Sequence, residues 1–227
     1  MGSITTAMPT SEKAEFMQAA HCFNATVTPT GTMALSSQTV TGLSSLDGIA
    51  VGMSVASGTL LATGAVVEAV LSTNSITVSR TTSAAITGGT LTIVGDEFMV
   101  ALIVPTPTGT YGAATTNYAN LGSDEVTGTG YTAGGLALTQ VTPTTNGTGA
   151  NTNFSPNPSW TSASITTGGA LIYNKSTRLF GASGSNTTGG GRACGVYSFG
   201  GSQQVTGGTL TLLMPTAAPS SAIIAIQ

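Results

Sequence analysis

The chain has 227 residues, 40% hydrophobic and only 6% charged, with a formal net charge of −3 at neutral pH. Globular proteins carry about 25% charged residues. A surface this poor in charge relies on neighbouring subunits or on uncharged Thr, Ser and Asn, so an assembled protein is expected. The five basic residues, Lys13, Arg80, Lys175, Arg178 and Arg192, are scattered and form no stripe for counterion release, which argues against nucleic-acid binding.

No apolar run reaches the roughly 18 residues that span a bilayer, and the start, MGSITTAMPTSEK, lacks the layout of a secretory signal. Neither membrane insertion nor export is expected, and folding in a cytoplasm follows. Cys22 and Cys194 stand in no metal-ligand spacing. A reducing compartment favours buried thiols over a disulfide between them.

In chain order, residues 1–9 read as an irregular arm that becomes ordered on another subunit. Thr10 or Ser11 caps a short helix through about Ala20, with Glu12 and Glu15 in a first turn where the helix dipole favours negative charge. Phe16, Met17, Ala20 and Phe23 form its expected apolar side. From 24 to 96 the texture is Thr, Ser, Val and Gly, with short alternations such as QTVTGL, MSVASG, AVVEAV and SITVSR between Gly, Asp-Gly and Thr-Asn signals. That spacing predicts a small β module: strands ending at Val40 and Val55, a turn over 46–49, a long strand over 65–71, and a hairpin at 72–74 into a strand over 76–79.

At Glu97 the pattern becomes EFMVALIVP, an apolar run suited to a strand buried on both faces and ended by Pro105 and Pro107. Two stretches then organise the remainder, EVTGTGYTAGGLAL at 125–138 and WTSASITTGGALIYN at 160–174. Both read as strand pairs joined by glycine turns. Residues 142–158 between them read as a polar loop without core signal. In the second stretch, alternation places Trp160, Ser162, Ser164 and Thr166 on one side and Thr161, Ala163 and Ile165 on the other. A Gly-rich loop within 174–192, a strand over 193–199 and a last pair at 208–214 and 222–226 complete the chain.

The order of these signals resembles a family of structural proteins from tailed-bacteriophage virions: a helix ending in HCF, EFMVALIV, GAATTNY, GTGYTAGG, GALIYN, a strand ending in FGG, and GGTLTLLMPTAAPSSAIIAI. The resemblance covers residues 11–23 and 97–227. Residues 24–96 read as an insertion similar to a small β module that recurs in phage virion proteins. Where the family more often has Asp-x-Phe-Lys, this chain has Glu97, Phe98, Met99 and Val100, so contacts of that lysine do not carry over. The resemblance implies a subunit on the exterior of the particle, assembled in the host cytoplasm. It further implies the major capsid protein, or neck or tail proteins, as partners, and by analogy a small homo-oligomer such as a trimer.

Nothing in the sequence assembles an acid, base, nucleophile or metal cluster, so no enzyme, cofactor or metal is expected. His21 beside Cys22 invites a Cys-His nucleophile, but adjacent helical residues point about 100° apart. A packing or capping histidine is the simpler reading. Asp96-Glu97 and Asp124-Glu125 stand at strand entrances, where solvated charge serves solubility. GASGSNTTGGG lacks the Gly-Lys-Ser/Thr ending of a phosphate loop. Trp160 and Tyr173 read as core or interface anchors, with a glycan platform as the competing use.

The expected architecture is therefore mainly β: an arm with a short N-terminal helix (1–23), an inserted β module (24–96) and a β-sandwich-like main domain (97–227). Phe16, Met17, Phe23, Trp160 and Tyr173 are the candidate interface residues. The expected function is capsid decoration or cementing, with a neck, collar or tail-fibre role and a glycan-binding host-recognition module as alternatives.

Overall fold

The computed structural model describes residues 2–17, 20–58, 61, 64–146, 149–176, 190–215 and 223–226. Among them the fold is mainly β, with one short α-helix near the N-terminus and largely antiparallel, curled sheets around a sandwich-like core. The chain divides into two compact units. Unit one comprises Met1–His21, Glu97–Thr139 and Thr144–Gln227, and unit two Cys22–Asp96 with Gln140–Pro143. The boundary thus falls at 21/22 rather than 23/24, and four residues from the expected main domain join unit two.

The N-terminal residues are not an arm waiting for another subunit. Ser3–Ile4 (β1) pairs in parallel with Thr110–Tyr111. The N–H groups of Gly2, Thr5 and Ala7 donate to the carbonyls of Pro107, Tyr111 and Val196 at 2.8–2.9 Å. Their backbone demand is met inside unit one, which is what an extended segment needs to stay in place. The helix that follows, Thr10–Met17 (α1), does not bury the apolar side expected of it. Its buried residue is Glu12, while Met17 is 85% exposed. The two lie five residues apart, about 140° around the helix, so burying one turns the other to solvent.

Unit two holds seven short strands: Thr30–Met33 (β2), Thr39–Thr41 (β3), Ser54–Ala56 (β4), Ala65–Leu71 (β5), Ser75–Val78 (β6), Ile86–Thr90 (β7) and Thr92–Val94 (β8). They hydrogen-bond in the order β7-β2-β3-β6-β5-β4-β8. β-branched residues of most strands fill the core with Val40, Val55, Val67, Ile76, Val78 and Ile93, and β2 adds Met33, each worth about 1.5–3 kcal/mol when fully buried. The two ends of the unit clasp each other: Cys22 N–H donates to Asp96 Oδ2 at 2.8 Å, and Asp96 N–H donates to the Cys22 carbonyl at 3.0 Å. Adjacent ends are the condition for a module to be inserted without disturbing its host.

Unit one is built on Phe98–Ile103 (β9), followed by Thr110–Tyr111 (β10), Leu136–Leu138 (β11), Gln140–Asn146 (β12), Gly149–Phe154 (β13), Ser159–Asn174 (β14), Arg192–Thr211 (β15) and Ile224–Ile226 (β16). The first four residues of β12 are those that join unit two. The main sheet runs β11-β9-β14-β15, and β13 stands between β12 and β16 in a second sheet. Interior position accounts for the continuous apolar run of β9, whose Phe98, Val100, Ala101, Leu102 and Ile103 are fully buried.

Three expectations here are corrected. Residues 125–135 are a loop, touching strands through single bridges at Ile103–Glu125 and Thr129–Ser164. Residues 142–158, read as loop, contribute β12 and β13, and Asn151, Thr152, Asn153 and Phe154 are buried. Polar composition hid the strand because most of its buried residues are Asn and Thr rather than apolar side chains. The alternation after Trp160 also breaks: Ser162 adopts φ +50° and the register shifts between Trp160 and Ala163. That bulge puts Trp160, Ala163, Ile165 and Thr167 on the buried side.

Candidate functional site

Unit one contains two buried carboxylate clusters. The first lies where the GTGYTAGG loop meets the GALIYN strand. Glu125 accepts hydrogen bonds from the Tyr118 hydroxyl at 2.5 Å, the Tyr131 hydroxyl at 2.7 Å and the Gly134 N–H at 2.6 Å. Tyr131 also accepts from Leu102 N–H at 3.0 Å, and Tyr173 donates to the Gly134 carbonyl at 2.8 Å. Tyr118 stacks on Tyr173 at 4.5 Å, and Tyr131 on Trp160 at 6.2 Å.

Next to it, Asp124 collects the Thr108 and Gly109 N–H groups at 3.0 and 2.8 Å, the Tyr111 hydroxyl at 2.7 Å and the Thr108 hydroxyl. Burial pushes its carboxyl up, but these donors outweigh it and hold the pKa at about 2. Burial, then the neighbouring Glu125 carboxylate, raises Tyr118 to about 12. With so many donors committed to them, Asp124 and Glu125 act as structural acceptors. The solvated strand-entrance reading is corrected for both, and for Asp96, which is also buried. Glu97 is exposed and pairs with Lys175 at 3.0 Å.

The glycines of this loop have a specific reason. Gly135 lies at φ +75°, and a Cβ there would stand 1.8 Å from the Val100 carbonyl oxygen. Gly130, at φ +78°, would bring a Cβ to 2.8 Å from Ala163 Cα. The loop backbone lies directly on β9 and β14, and only glycine permits that approach.

The second cluster joins α1, His21 and the start of β15. The imidazole of His21 is fully buried, and its Nε2 lies 2.8 Å from Glu12 Oε2 and 2.7 Å from Glu15 Oε2. One N–H faces two carboxylates. It is directed at Glu15, and Glu12 shares the imidazole and has the Cys194 thiol as its second neighbouring donor. On its other side, His21 Nδ1 lies 2.8 Å from Asn174 Nδ2, while Asn174 Oδ1 accepts from Ser176 N–H. Arg192 is buried, its Nε 3.7 Å from Glu15 Oε2 and without a hydrogen-bond partner.

The Cys194 thiol completes this group. One ligand-type atom from each of Glu12, His21 and Cys194 lies within 4.8 Å of the others. Burial tends to lower the His21 pKa, but hydrogen bonding and charge from Glu12 and Glu15 win and raise it to about 9. Burial, then Glu12, pushes the Cys194 thiol up, so it is protonated and not a nucleophile at neutral pH.

The five candidate interface residues are distributed as follows. Trp160, Tyr173 and Phe23 are buried, the first two within unit one and the third in unit two. Phe16 is half-buried, 6.2 Å from the His21 ring, and Met17 is exposed. With Trp160 and Tyr173 inside the core, neither ring offers an open platform for a sugar. Cys22 and Cys194 are both buried and not disulfide-bonded. The sequence sets His21 next to Cys22, where a packing or capping histidine is the simpler reading; the thiol grouped with the imidazole belongs to Cys194, and no local spacing could have indicated it. Of the GASGSNTTGGG loop, residues 181–189 lie outside the described residues.

Comparison with family models, curated proteins and solved structures finds no match to the chain. Among the described residues, no helix is long and apolar enough to cross a membrane.

Proposed function

We propose that the chain is a structural subunit of a tailed-bacteriophage virion that works by assembling with copies of itself and with the particle, as a capsid decoration or cement protein on the exterior. The observation that supports this most is the free edge of β15. Strand β15 is 20 residues long and stands at the edge of the main sheet. The N-terminal segment bridges it at Val196 through Ala7. From Gly200 to Thr211, no described strand lies on its outer side.

That stretch, GGSQQVTGGTLT, is exposed along most of its length and contains neither charge nor proline. Two β-bulges, with Gly200 and Gly207 at positive φ, bend it, but the charges and prolines that also stop edge-to-edge pairing are absent from its sequence. An apolar groove of about 320 Å³ lies alongside, lined by Phe199, Leu210, Leu212 and Leu213, and Leu213 is 76% exposed. A second copy pairing there satisfies the backbone groups and covers the leucines. This reading also accounts for a composition only 6% charged, and its motif basis is the resemblance of the GTGYTAGG and GALIYN stretches. It involves no reaction.

The test is the ratio of this chain to the major capsid protein in purified particles, by quantitative mass spectrometry. The proposal expects a ratio near one or one third, the copy numbers of a lattice decoration. About a dozen copies or fewer per particle moves the chain to the neck or tail. Absence from the particle overturns the virion reading.

A further inference from the structure

The cluster at Glu12, His21 and Cys194 is not used by an assembly role, and its donors are crowded on one imidazole nitrogen. A fully buried carboxylate is retained in proteins when it has donors or a cation to neutralise it. Glu12 has a share in one imidazole proton, directed at Glu15, and the weak donor of the Cys194 thiol. Arg192, the nearest fixed cation, lies 3.7 Å from Glu15 and leaves its own Nε without a hydrogen-bond partner.

The donor types are those of a transition-metal site: a carboxylate oxygen, an imidazole nitrogen and a thiol sulfur from three separated chain segments, within 4.8 Å of one another, with a second carboxylate, Glu15, at 2.7 Å from the same nitrogen. We propose that Glu12, His21 and Cys194, with Glu15 as fourth ligand, bind a divalent transition-metal ion of the zinc class. Thiolate and imidazole select such an ion over calcium or magnesium. A tetrahedral ion with bonds of about 2.0–2.3 Å sets N and O ligands about 3.3 Å apart. Each carboxylate therefore moves outward by about half an ångström from its crowded position near Nε2.

The protons balance. On binding two protons leave to solvent, that of the Cys194 thiol and that on Nε2 of the His21 imidazolium, and His21 binds through Nε2 with its remaining proton on Nδ1. The Asn174 amide then turns its oxygen toward that N–H, giving the histidine the second acceptor that metal-bound imidazoles keep. Three anionic ligands and the Arg192 guanidinium leave a charge of −2, which a divalent ion cancels. With four protein ligands the site is closed, hence structural. It fastens α1 and His21 to β15 and so holds the N-terminal segment against the strand. This inference is independent of the virion reading.

The experiment uses the full chain, treated with chelator and titrated with cobalt(II). One equivalent is expected to produce a thiolate-to-cobalt charge-transfer band in the near ultraviolet and the visible bands of a tetrahedral ion. Zinc displaces both and raises the melting temperature. Cys194→Ser loses the charge-transfer band and Cys22→Ser keeps it. Should Cys194→Ser fail to fold, Glu12→Gln serves instead, with cobalt affinity expected to fall about tenfold or more. Absence of the band in the wild-type chain at stoichiometric cobalt overturns the proposal, as does a band that survives in Cys194→Ser.

Discussion

The two carboxylate clusters of unit one are built from the same chemistry and differ in one respect, the number of donors aimed at them. Glu125 has three close donors and Asp124 four, from backbone and hydroxyl groups. Glu12 is at least as deeply buried and faces one imidazole nitrogen shared with Glu15 and the weak donor of the Cys194 thiol. The first arrangement is complete within the polypeptide and fixes a loop on a strand. The second reaches the same completeness with a cation. Burial of a carboxylate therefore carries no functional meaning until its donors are counted.

The comparison can be broken at the loop first. Gly135→Ala forces a Cβ into the Val100 carbonyl at a positive φ, and a loss of more than about 4 kcal/mol in chemical denaturation is expected. It is sharpened by making one substitution in both clusters. Glu125→Gln replaces an anionic acceptor of three donors with an amide whose own N–H₂ opposes them, so a loss of about 3 kcal/mol is expected. Glu12→Gln in metal-stripped protein removes a buried charge served only by a shared imidazole and a thiol, while His21 keeps Glu15. Its stability should lie within about 1 kcal/mol of wild type, or above it. Equal losses in the two variants would erase the distinction.

A smaller effect is expected from pH. The Asp124 carboxyl is held at about 2 against an ordinary value of 3.8. A folded pKa below the unfolded one gives stability that is fully present above about pH 4 and is lost as pH falls through 2. The urea midpoint should fall less steeply across that window in Asp124→Asn than in wild type. Identical slopes would mean that the donors around Asp124 do not favour its charged form.

Much of the fold was legible because hydrophobic period and turn chemistry are local. The long strand Ala65–Leu71, the turn closed by Ile49 N–H on the Leu46 carbonyl, and the buried run Phe98–Ile103 all follow from neighbouring residues. What escaped was non-local or polar. Strand Gly149–Phe154 buries Asn and Thr, which composition reads as loop. The GTGYTAGG glycines indicated close backbone approach, but not that the partners are β9 and β14. The bulge at Ser162 reversed an alternation that was otherwise regular. Cys194 and His21 meet only after β15 has been laid beside the helix, so their 173-residue separation conceals the cluster.

The assembly role rests on the uncharged edge of β15, and the most direct measurement is the mass of the purified full chain in solution by sedimentation equilibrium. The wild type should form a small closed oligomer. A Gln203→Lys, Thr209→Lys variant, with charge placed on two exposed edge residues, should be monomeric at the same concentration with an unchanged melting temperature. A wild-type chain that stays monomeric up to high concentration, or a variant that assembles as readily, would contradict the account.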